Sequence, residues 1–244
     1  MCGRYVSVRS SDDLLAEFDA VDATGGQSPE PDWNVAPTKP VRVVLSRRQR
    51  DEEGHPVGEP VRQLRVVTWG LVPSWAKDPS VGSRLINARV ESVAEKPAFR
   101  RAYAARRCLV PNDGWYEWRA GDGPRKQPFY MTPADGHPLA FAGLYEFWGE
   151  NGRTLTTCTI LTAPAAGPLR DIHDRMPLLL PRRTWAGWLD PAVPDPSQLL
   201  QPWDEASGEH LELRPVADTV NDVRHNGATL VEPVSEPVQP QTLF

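Results

Sequence analysis

The sequence offers little for a disulfide framework, a metal site or a membrane span. Its 3 cysteines are widely spaced and form no CxxC motif, so we expect free thiols in a reducing compartment. Its 5 histidines show no ligand spacing, and we predict neither a metal nor another cofactor. No apolar run approaches the ~18 residues that cross a bilayer. The start also lacks a secretory pattern, so a cytoplasmic protein is expected.

Glycine, proline and tryptophan are plentiful. The 244 residues include 18 Gly, 26 Pro and 9 Trp, a composition typical of many turns and short elements. A hydrophobic content of 40% fits one sizeable core. We predict a single domain over 1–232, a flexible Pro- and Gln-rich tail over 233–244, and a monomer.

Hydrophobic alternation predicts a chain made mostly of strands. Strands are expected at 4–8, 41–45, 61–69, 107–110, 114–119, 129–131, 139–147 and 153–161, and a late one at 210–215. Helices are expected at 11–20, 88–95 and 97–105, with another beginning at Pro181. The charged segment 46–60 is predicted to be a hairpin without chemistry. The fold class is therefore α+β, with a curved antiparallel sheet or open β-barrel core and flanking short helices.

The chain begins Met1-Cys2-Gly3, which is its first chemical feature. Removal of Met1 would give Cys2 a free α-amine with a pKa near ~8 beside a thiol near ~8.5. Such a 1,2-aminothiol suits aldehydes, because the amine forms a Schiff base and the thiol then closes a thiazolidine ring. The alternative is that Cys2 is a small buried hydrophobe near a terminus.

A net charge of −5 argues against nucleic-acid binding, but the charge is unevenly distributed. From 84 to 107, seven Lys and Arg residues face two Glu residues. This patch favours phosphate binding, with a solvated helix face as the alternative. Trp69 and Trp75 lie on a stiff proline-containing loop. Their rings either stack unpaired bases or anchor the loop to the core.

Three polar side chains are further candidates. Glu117 lies in a predicted strand between aromatic residues, where partial burial would raise its pKa toward neutrality. His173 precedes Asp174 and Arg175, which could orient the ring and tune its titration. Asn87 either caps a helix or contributes to a site. A fully solvated glutamate at a sheet edge remains the alternative for Glu117.

Seven motifs, taken in order, resemble those of the SRAP (SOS response-associated peptidase) family. They are MCGRY at 1–5, WNVAPT at 33–38, WGLVP at 69–73, INARVE at 86–91, RCLVP at 107–111, GWYEW at 114–118 and IHDRMP at 172–177. Each motif is weak alone, but the ordered set is specific. The family comprises abasic-site processing proteins that shield abasic sites in single-stranded DNA. The resemblance implies a compact, prokaryotic-type, nucleoid-associated protein of the DNA damage response.

The resemblance also implies roles for individual residues. Cys2 would capture the aldehyde of an abasic sugar as a reversible thiazolidine crosslink, with Asn87 positioning the amine and the sugar. Glu117 would shuttle protons and assist reversal, and His173 would protonate the ring oxygen of the sugar. Removal of Met1 by the protein itself and a lyase-type β-elimination are implied as well. The implied DNA-contacting residues are Arg4, Pro37, Trp69, Trp75, Arg89, Trp118 and Thr162.

Other classes of protein remain as alternatives. A terminal cysteine also serves glutamine amidotransferases, although the expected glutamine-binding residues are not evident downstream. A papain-like protease using Cys2, His173 and Asn87 would lack the usual signature around its cysteine. A noncatalytic single-strand binder would explain the basic patch and the tryptophans but not the terminal cysteine.

Overall fold

The computed structural model describes residues 2–121, 125–149, 154–193, 195–201 and 210–234. The α-helices are α1 (Ser11–Phe18), α2 (Arg100–Ala105) and α3 (Trp185–Leu189). The strands are β1 (Tyr5–Ser7), β2 (Val21–Asp22), β3 (Asp32–Val35), β4 (Pro40–Arg50), β5 (Pro56–Trp69), β6 (Asn87–Arg89), β7 (Arg107–Asn112), β8 (Gly114–Arg119), β9 (Gln127–Pro133), β10 (Leu139–Trp148), β11 (Leu155–Pro164), β12 (Arg175–Pro177) and β13 (Leu211–Pro215). Short 3-10 turns lie at Pro79–Arg84, Gly167–Asp171, Arg182–Thr184, Ser197–Leu199, Asp218–Asn221 and Ala228–Val231.

The larger sheet closes on itself as a barrel. Its strand order is β12-β11-β10-β7-β4-β5-β2, and β5 also pairs with β11. That closing contact is parallel and joins Thr68 to Thr157 and Trp69 to Cys158. The predicted α+β class, with a curved and mostly antiparallel sheet and short helices, is confirmed. The barrel is closed rather than open, because β5 continues to Trp69 and reaches β11.

Alternation along the strands divides the hydrophobic residues between the two faces of the barrel wall. Val43 and Leu45 pack inside with Trp69, whereas Val44 between them packs outside with Phe18 of α1. Successive strand residues point to opposite faces, so the same strands contribute residues to the hydrophobic cluster inside the barrel and to the one outside it. The outer cluster also includes residues of α2 and α3, and these helices therefore cover the barrel.

A smaller antiparallel sheet holds the start of the chain. Its strand order is β13-β9-β8-β1-β3, so β1 is flanked by β8 and β3. Tyr5 lies opposite Trp115 on one side and opposite Val35 on the other. Both neighbouring strands thus fix the direction in which Cys2 leaves the sheet.

Several sequence-based boundaries are wrong. The helix predicted at 88–95 is absent. Instead, Asn87–Arg89 forms β6, whose backbone pairs in parallel with Ile160–Thr162, and turns follow. The 97–105 helix begins only at Arg100. Segment 46–60 does form a hairpin, with β4 reaching Arg50 and β5 starting at Pro56.

The predicted tail, 233–244, lies outside the described residues apart from 233 and 234. Within the described ranges, no helix combines the length and apolar character needed to cross a membrane.

Candidate active site

The pairing of β1 with β8 brings Cys2 and Glu117 to the same end of the smaller sheet. The N–H of Tyr116 donates to the carbonyl of Arg4 at 3.0 Å. Extending the Tyr5–Trp115 register by two residues places Gly3 opposite Glu117. The charge of Glu117 acts on the Cys2 thiol, which agrees with this proximity.

The Cys2 thiol is fully buried. Desolvation raises its pKa well above the ordinary value, and the nearby charge of Glu117 adds to the effect. The backbone of Cys2 is held by Asn87, whose Nδ2 donates to the Cys2 carbonyl at 2.7 Å. Asn87 is itself fixed because β6 pairs with β11 beside Ile160. Its other amide atom, Oδ1, is buried and has no hydrogen-bond partner among the described residues.

Glu117 is the buried carboxyl group of the site, with only 3% of its surface exposed. Burial raises its pKa to about 7. A carboxyl group with this pKa is present in both protonated and ionised forms near neutral pH, so it can donate and accept protons. The predicted burial and raised pKa of Glu117 are thereby confirmed, and the fully solvated alternative is wrong.

His173 lies in the turn before β12 and is held as a neutral ring. Its Nδ1 accepts a hydrogen bond from the N–H of Arg175 at 2.9 Å. Nδ1 is also 2.8 Å from a carboxylate oxygen of Asp174, a contact that favours a proton on Nδ1. The backbone bond decides between these two contacts, because it requires Nδ1 to be an acceptor. The charge of Asp174 has less effect on the ring, since Asp174 is 84% exposed and solvent screens it. Burial also lowers the pKa of His173, which favours a neutral ring with its proton on Nε2.

Arg175 connects three parts of the site, which goes beyond its expected effect on His173. Its guanidinium forms a two-pronged ion pair with Glu91 and donates to the carbonyl and the hydroxyl of Thr162. Its backbone N–H orients His173. Arg175 and Glu91 both lie in recognised motifs and carry opposite charges. That was the only signal in the sequence, because a pairing across 84 positions cannot be read from spacing.

An open groove begins beside Asn87. It encloses about 520 Å³ and is lined by residues that include Trp75, Arg84, Asn87, Arg89, Lys96 and Thr162. The Trp75 ring is 61% exposed, and Arg84, Arg89 and Lys96 are exposed cations. An aromatic ring beside several cations is the arrangement expected of a single-strand binding groove.

Arg4, Pro37 and Trp118 do not line the groove beside Asn87. Arg4 donates to Oδ1 of Asn34 at 2.7 Å and to the carbonyl of Val220 at 2.8 Å. The indole of Trp118 donates to Asn221 at 2.6 Å. Both side chains therefore contact the same late turn, and Pro37 is half-buried just after β3.

Residues 1–223 match the family model described as SOS response associated peptidase (SRAP). The chain belongs to the SRAP family. It is 36% identical over 236 residues to a Bacillus subtilis protein named abasic site processing protein YoqW, covering 95% of this chain and 99% of that relative. Escherichia coli abasic site processing protein YedK is 34% identical over 244 residues, covering 96% of this chain and 100% of the relative. The resemblance inferred from the seven motifs is confirmed.

The fold of this SRAP-family chain is similar to that of a Bacteroides thetaiotaomicron protein solved by crystallography. The two superpose with a TM-score of 0.79 over 96% of this chain and 100% of the other, at 21% sequence identity.

Two expectations about DNA contacts in the SRAP-family protein need correction. Trp69 is fully buried, its Nε1 donates to the carbonyl of Ile86 at 2.9 Å, and its ring packs 5.3 Å from Tyr5. It is a core residue that supports the strand of Asn87, and no face of its ring is open to a base. Thr162 is only 1% exposed, and its hydroxyl accepts from Arg175.

The basic stretch 84–107 does not form one solvent-facing patch, because two of its cations are bonded within the protein. Arg107 is buried and donates to backbone carbonyls that include those of Tyr103 and Trp188, while Arg106 pairs with Glu146. These two cations fix α2 and α3 against the barrel rather than facing solvent.

One group of side chains in the described part of the chain has metal-ligand geometry. Atoms of Asp51, Glu53 and His55 at the β4–β5 turn lie within 4.8 Å of one another. All three are exposed, and Asp51 already accepts the N–H groups of Glu53 and His55. This pattern is ordinary for a polar turn.

Proposed function

We propose that this protein captures abasic sites in single-stranded DNA as a reversible thiazolidine crosslink through Cys2. The observation that carries the proposal is the 2.7 Å hydrogen bond from Asn87 to the Cys2 carbonyl. It holds the start of the chain beside a carboxyl group with a pKa of about 7 and at the edge of the basic groove. The names of the relatives, abasic site processing proteins, support the same substrate.

The first step joins the amine of Cys2 to the sugar. After loss of Met1, which lies outside the described residues, the α-amine attacks the C1′ aldehyde of the open abasic sugar. One amine proton moves to the new hydroxyl, neutral Glu117 protonates that hydroxyl as it departs as water, and a protonated imine and an ionised Glu117 remain. The free Oδ1 of Asn87 is available to accept a hydrogen bond from the attacking amine.

Ring closure follows without any redox change. The Cys2 sulfur adds to the carbon of the protonated imine while the thiol proton passes to ionised Glu117, and the product is a five-membered thiazolidine. The raised pKa of the thiol means that the proton must be removed during the step. The ionised form of Glu117 is the nearby base for this transfer. Reversal uses the same groups in the opposite order.

His173 assists opening of the sugar. The neutral ring, held with its proton on Nε2, donates to the ring oxygen as the C1′–O bond breaks. The imine also acidifies the C2′ proton, so its removal with loss of the 3′ phosphate gives a lyase side reaction. Removal of Met1 by the chain itself, with Cys2 as the nucleophile and water completing hydrolysis, belongs to the same proposal.

DNA would enter along the groove. Arg89, Arg84 and Lys96 face solvent there and can contact phosphates, and the exposed ring of Trp75 can stack on a base. Arg4 and Trp118 would border the opposite side of the crosslinked sugar.

The test is a denaturing gel after incubation with a single-stranded oligonucleotide that carries one abasic site. The wild type should give a slowly migrating adduct, and the Cys2→Ser variant should give none. Cys108→Ala is the matched control, because Cys108 is a buried free thiol elsewhere in the barrel, and this variant should retain the adduct. An undiminished adduct in Cys2→Ser would contradict the proposal. Equal DNA retention by Cys2→Ala would instead favour a noncatalytic binder.

A further inference from the structure

Four arginines gather at the end of the barrel opposite to the candidate active site. Arg47 of β4 pairs with Val61 of β5, and Val61 is seven positions before Thr68 along β5. Thr68 lies beside Thr157, and Thr162 is five positions further in the same direction along β11. At ~3.3 Å per residue, Arg47 and Thr162 are roughly 40 Å apart along the strands. The two regions are therefore separate surfaces.

The hairpin arginine cluster consists of Arg47, Arg48, Arg50 and Arg65. None of the four forms an ion pair with a carboxylate in the described part of the chain. Arg65 donates to Gln63 at 2.9 Å, Arg50 donates to the carbonyl of Gly54, and Arg47 lies over the ring of Phe147, with 5.0 Å to its centroid. These cations are concentrated although the chain carries a net charge of −5.

The cluster is also electrostatically unfavourable in the absence of an anion. The pKa of Arg65 is lowered mainly by burial and further by the charges of Arg47 and Arg50. Like charges that share one small region oppose each other unless a counter-charge intervenes. An anion placed among them would remove this repulsion.

A cavity suited to such an anion lies among the arginines. It encloses about 290 Å³, and its walls include Arg47, Arg48, Arg50, Pro56, Pro60 and Tyr145. Of the residues that the structure describes, no acidic one lines it. Two nearby acids have other surroundings: Asp51 accepts N–H groups within its own turn, and Glu59 lines an adjoining cavity with Arg62, which shares Ser46, Pro60 and Pro191 with this one.

We propose that the hairpin arginine cluster binds a small anion that carries several phosphoryl groups. Guanidinium groups present paired N–H donors that match phosphate oxygens, and three of them in one cavity favour a polyphosphate over a single charge. The size of the cavity fits a short polyphosphate or the phosphate end of a nucleotide. The acids at the hairpin tip, 51–53, would repel a long nucleic-acid strand that lay across the hairpin.

The test measures thermal unfolding and calorimetric binding of the full chain with inorganic tripolyphosphate, at matched ionic strength. Arg48 and Arg50 are exposed, so the double variant Arg48→Ser, Arg50→Ser should keep its fold. Arg183→Ser is the charge-matched control, since Arg183 is also an exposed arginine. We expect a saturable rise in Tm for the wild type and for Arg183→Ser. In the double variant the dissociation constant should rise about tenfold or more.

Two further probes distinguish the sources of the phosphoryl groups. ATP tests a nucleotide, and a short oligonucleotide with intact bases tests a nucleic-acid strand. Binding of tripolyphosphate or ATP that depends on Arg48 and Arg50 supports the proposal. Equal binding by the double variant, no saturable binding of either small anion, or binding of the oligonucleotide alone at these arginines would overturn it. Cys2→Ser should bind tripolyphosphate normally, so the result is independent of the crosslinking proposal.

Discussion

The side-chain amide of Asn87 donates a 2.7 Å hydrogen bond to the backbone carbonyl of Cys2, 85 positions earlier in the sequence. The bond joins two elements that the barrel brings together, because β6 is held by β11 while Cys2 extends from β1. This hydrogen bond holds the backbone of Cys2 at the start of the chain, and it does not involve the Cys2 thiol. The amine, which is the proposed first nucleophile, is thereby fixed relative to the groove.

Replacing Asn87 should therefore slow capture without unfolding the protein. We expect Asn87→Ala to reduce the rate of adduct formation by roughly 10- to 100-fold, since a hydrogen bond of this kind contributes ~1–3 kcal/mol. Quenched time points on a denaturing gel measure the rate. The control is Asn226→Ala, which removes a different asparagine side chain that bonds a backbone N–H. Equal rates in Asn87→Ala and the wild type would show that the bond has no part in capture.

Glu117 should make stability depend on pH in a defined direction. Its pKa is about 7 in the folded protein, whereas the ordinary value for a glutamate is 4.5. Between these pH values the folded state keeps a proton that the unfolded state has released, so this contribution to stability is lost as pH rises from about 4.5 to 7. One pKa unit corresponds to ~1.4 kcal/mol, which gives about 3 kcal/mol in total.

Glu117→Gln removes this titration and serves as the comparison. The free energy of unfolding of the wild type relative to the variant should fall by about 3 kcal/mol between pH 4 and pH 8. Urea unfolding at several pH values measures it. A constant difference across this range would mean that Glu117 titrates normally. The same variant should also reverse the crosslink more slowly, because it cannot transfer protons.

Trp75 and Trp69 should respond to mutation in opposite ways. Trp75 is 61% exposed and Trp69 is fully buried. Trp75→Ala should weaken binding of an intact single strand by ~1–3 kcal/mol while leaving Tm nearly unchanged. Trp69→Ala should lower stability by ~3–5 kcal/mol. Fluorescence anisotropy and thermal unfolding separate the two effects. A large loss of stability in Trp75→Ala, with unchanged binding, would contradict its proposed role.

Arg175 should be sensitive even to a conservative change. Lysine keeps the charge but cannot form the paired contacts to Glu91 and Thr162. We expect Arg175→Lys to lower the free energy of unfolding by about 1–2 kcal/mol and to slow adduct formation. Glu91→Gln is the matched change on the other side of the pair and should give a smaller loss of the same sign. Full activity and stability in Arg175→Lys would remove Arg175 from the site.

Much of the fold could be predicted because its strands have clear alternation. Strand β8, which carries Glu117, was predicted at 114–119 and forms at Gly114–Arg119. The residues around Asn87 were predicted to be a helix, because Asn followed by Ala and Arg is compatible with a capped helix. Parallel pairing with Ile160–Thr162 decided the conformation instead. A contact between segments so distant in sequence leaves no local signal.

The sequence indicated which residue types form the site, but it did not indicate how deeply each side chain is buried or what it contacts. The elevated pKa of Glu117 follows from its burial, which the aromatic residues beside it in the sequence made a reasonable expectation. The burial of Trp69 depends on the closing contact between β5 and β11, which places the ring inside the barrel. The inward turn of Arg107 likewise depends on the carbonyls around α3. Neither the burial of Trp69 nor the inward orientation of Arg107 could be predicted from the residues next to it in the sequence.

Mass spectrometry of the crosslinked peptide tests the central claim most directly. Wild-type protein incubated with an abasic single strand should yield a terminal peptide that begins at Cys2 and lacks Met1. Its mass should equal that of the peptide plus the sugar fragment minus one water, and fragmentation should locate both new bonds on the nitrogen and sulfur of Cys2. A crosslinked peptide that still carries Met1, or one attached through any other residue, would contradict the account.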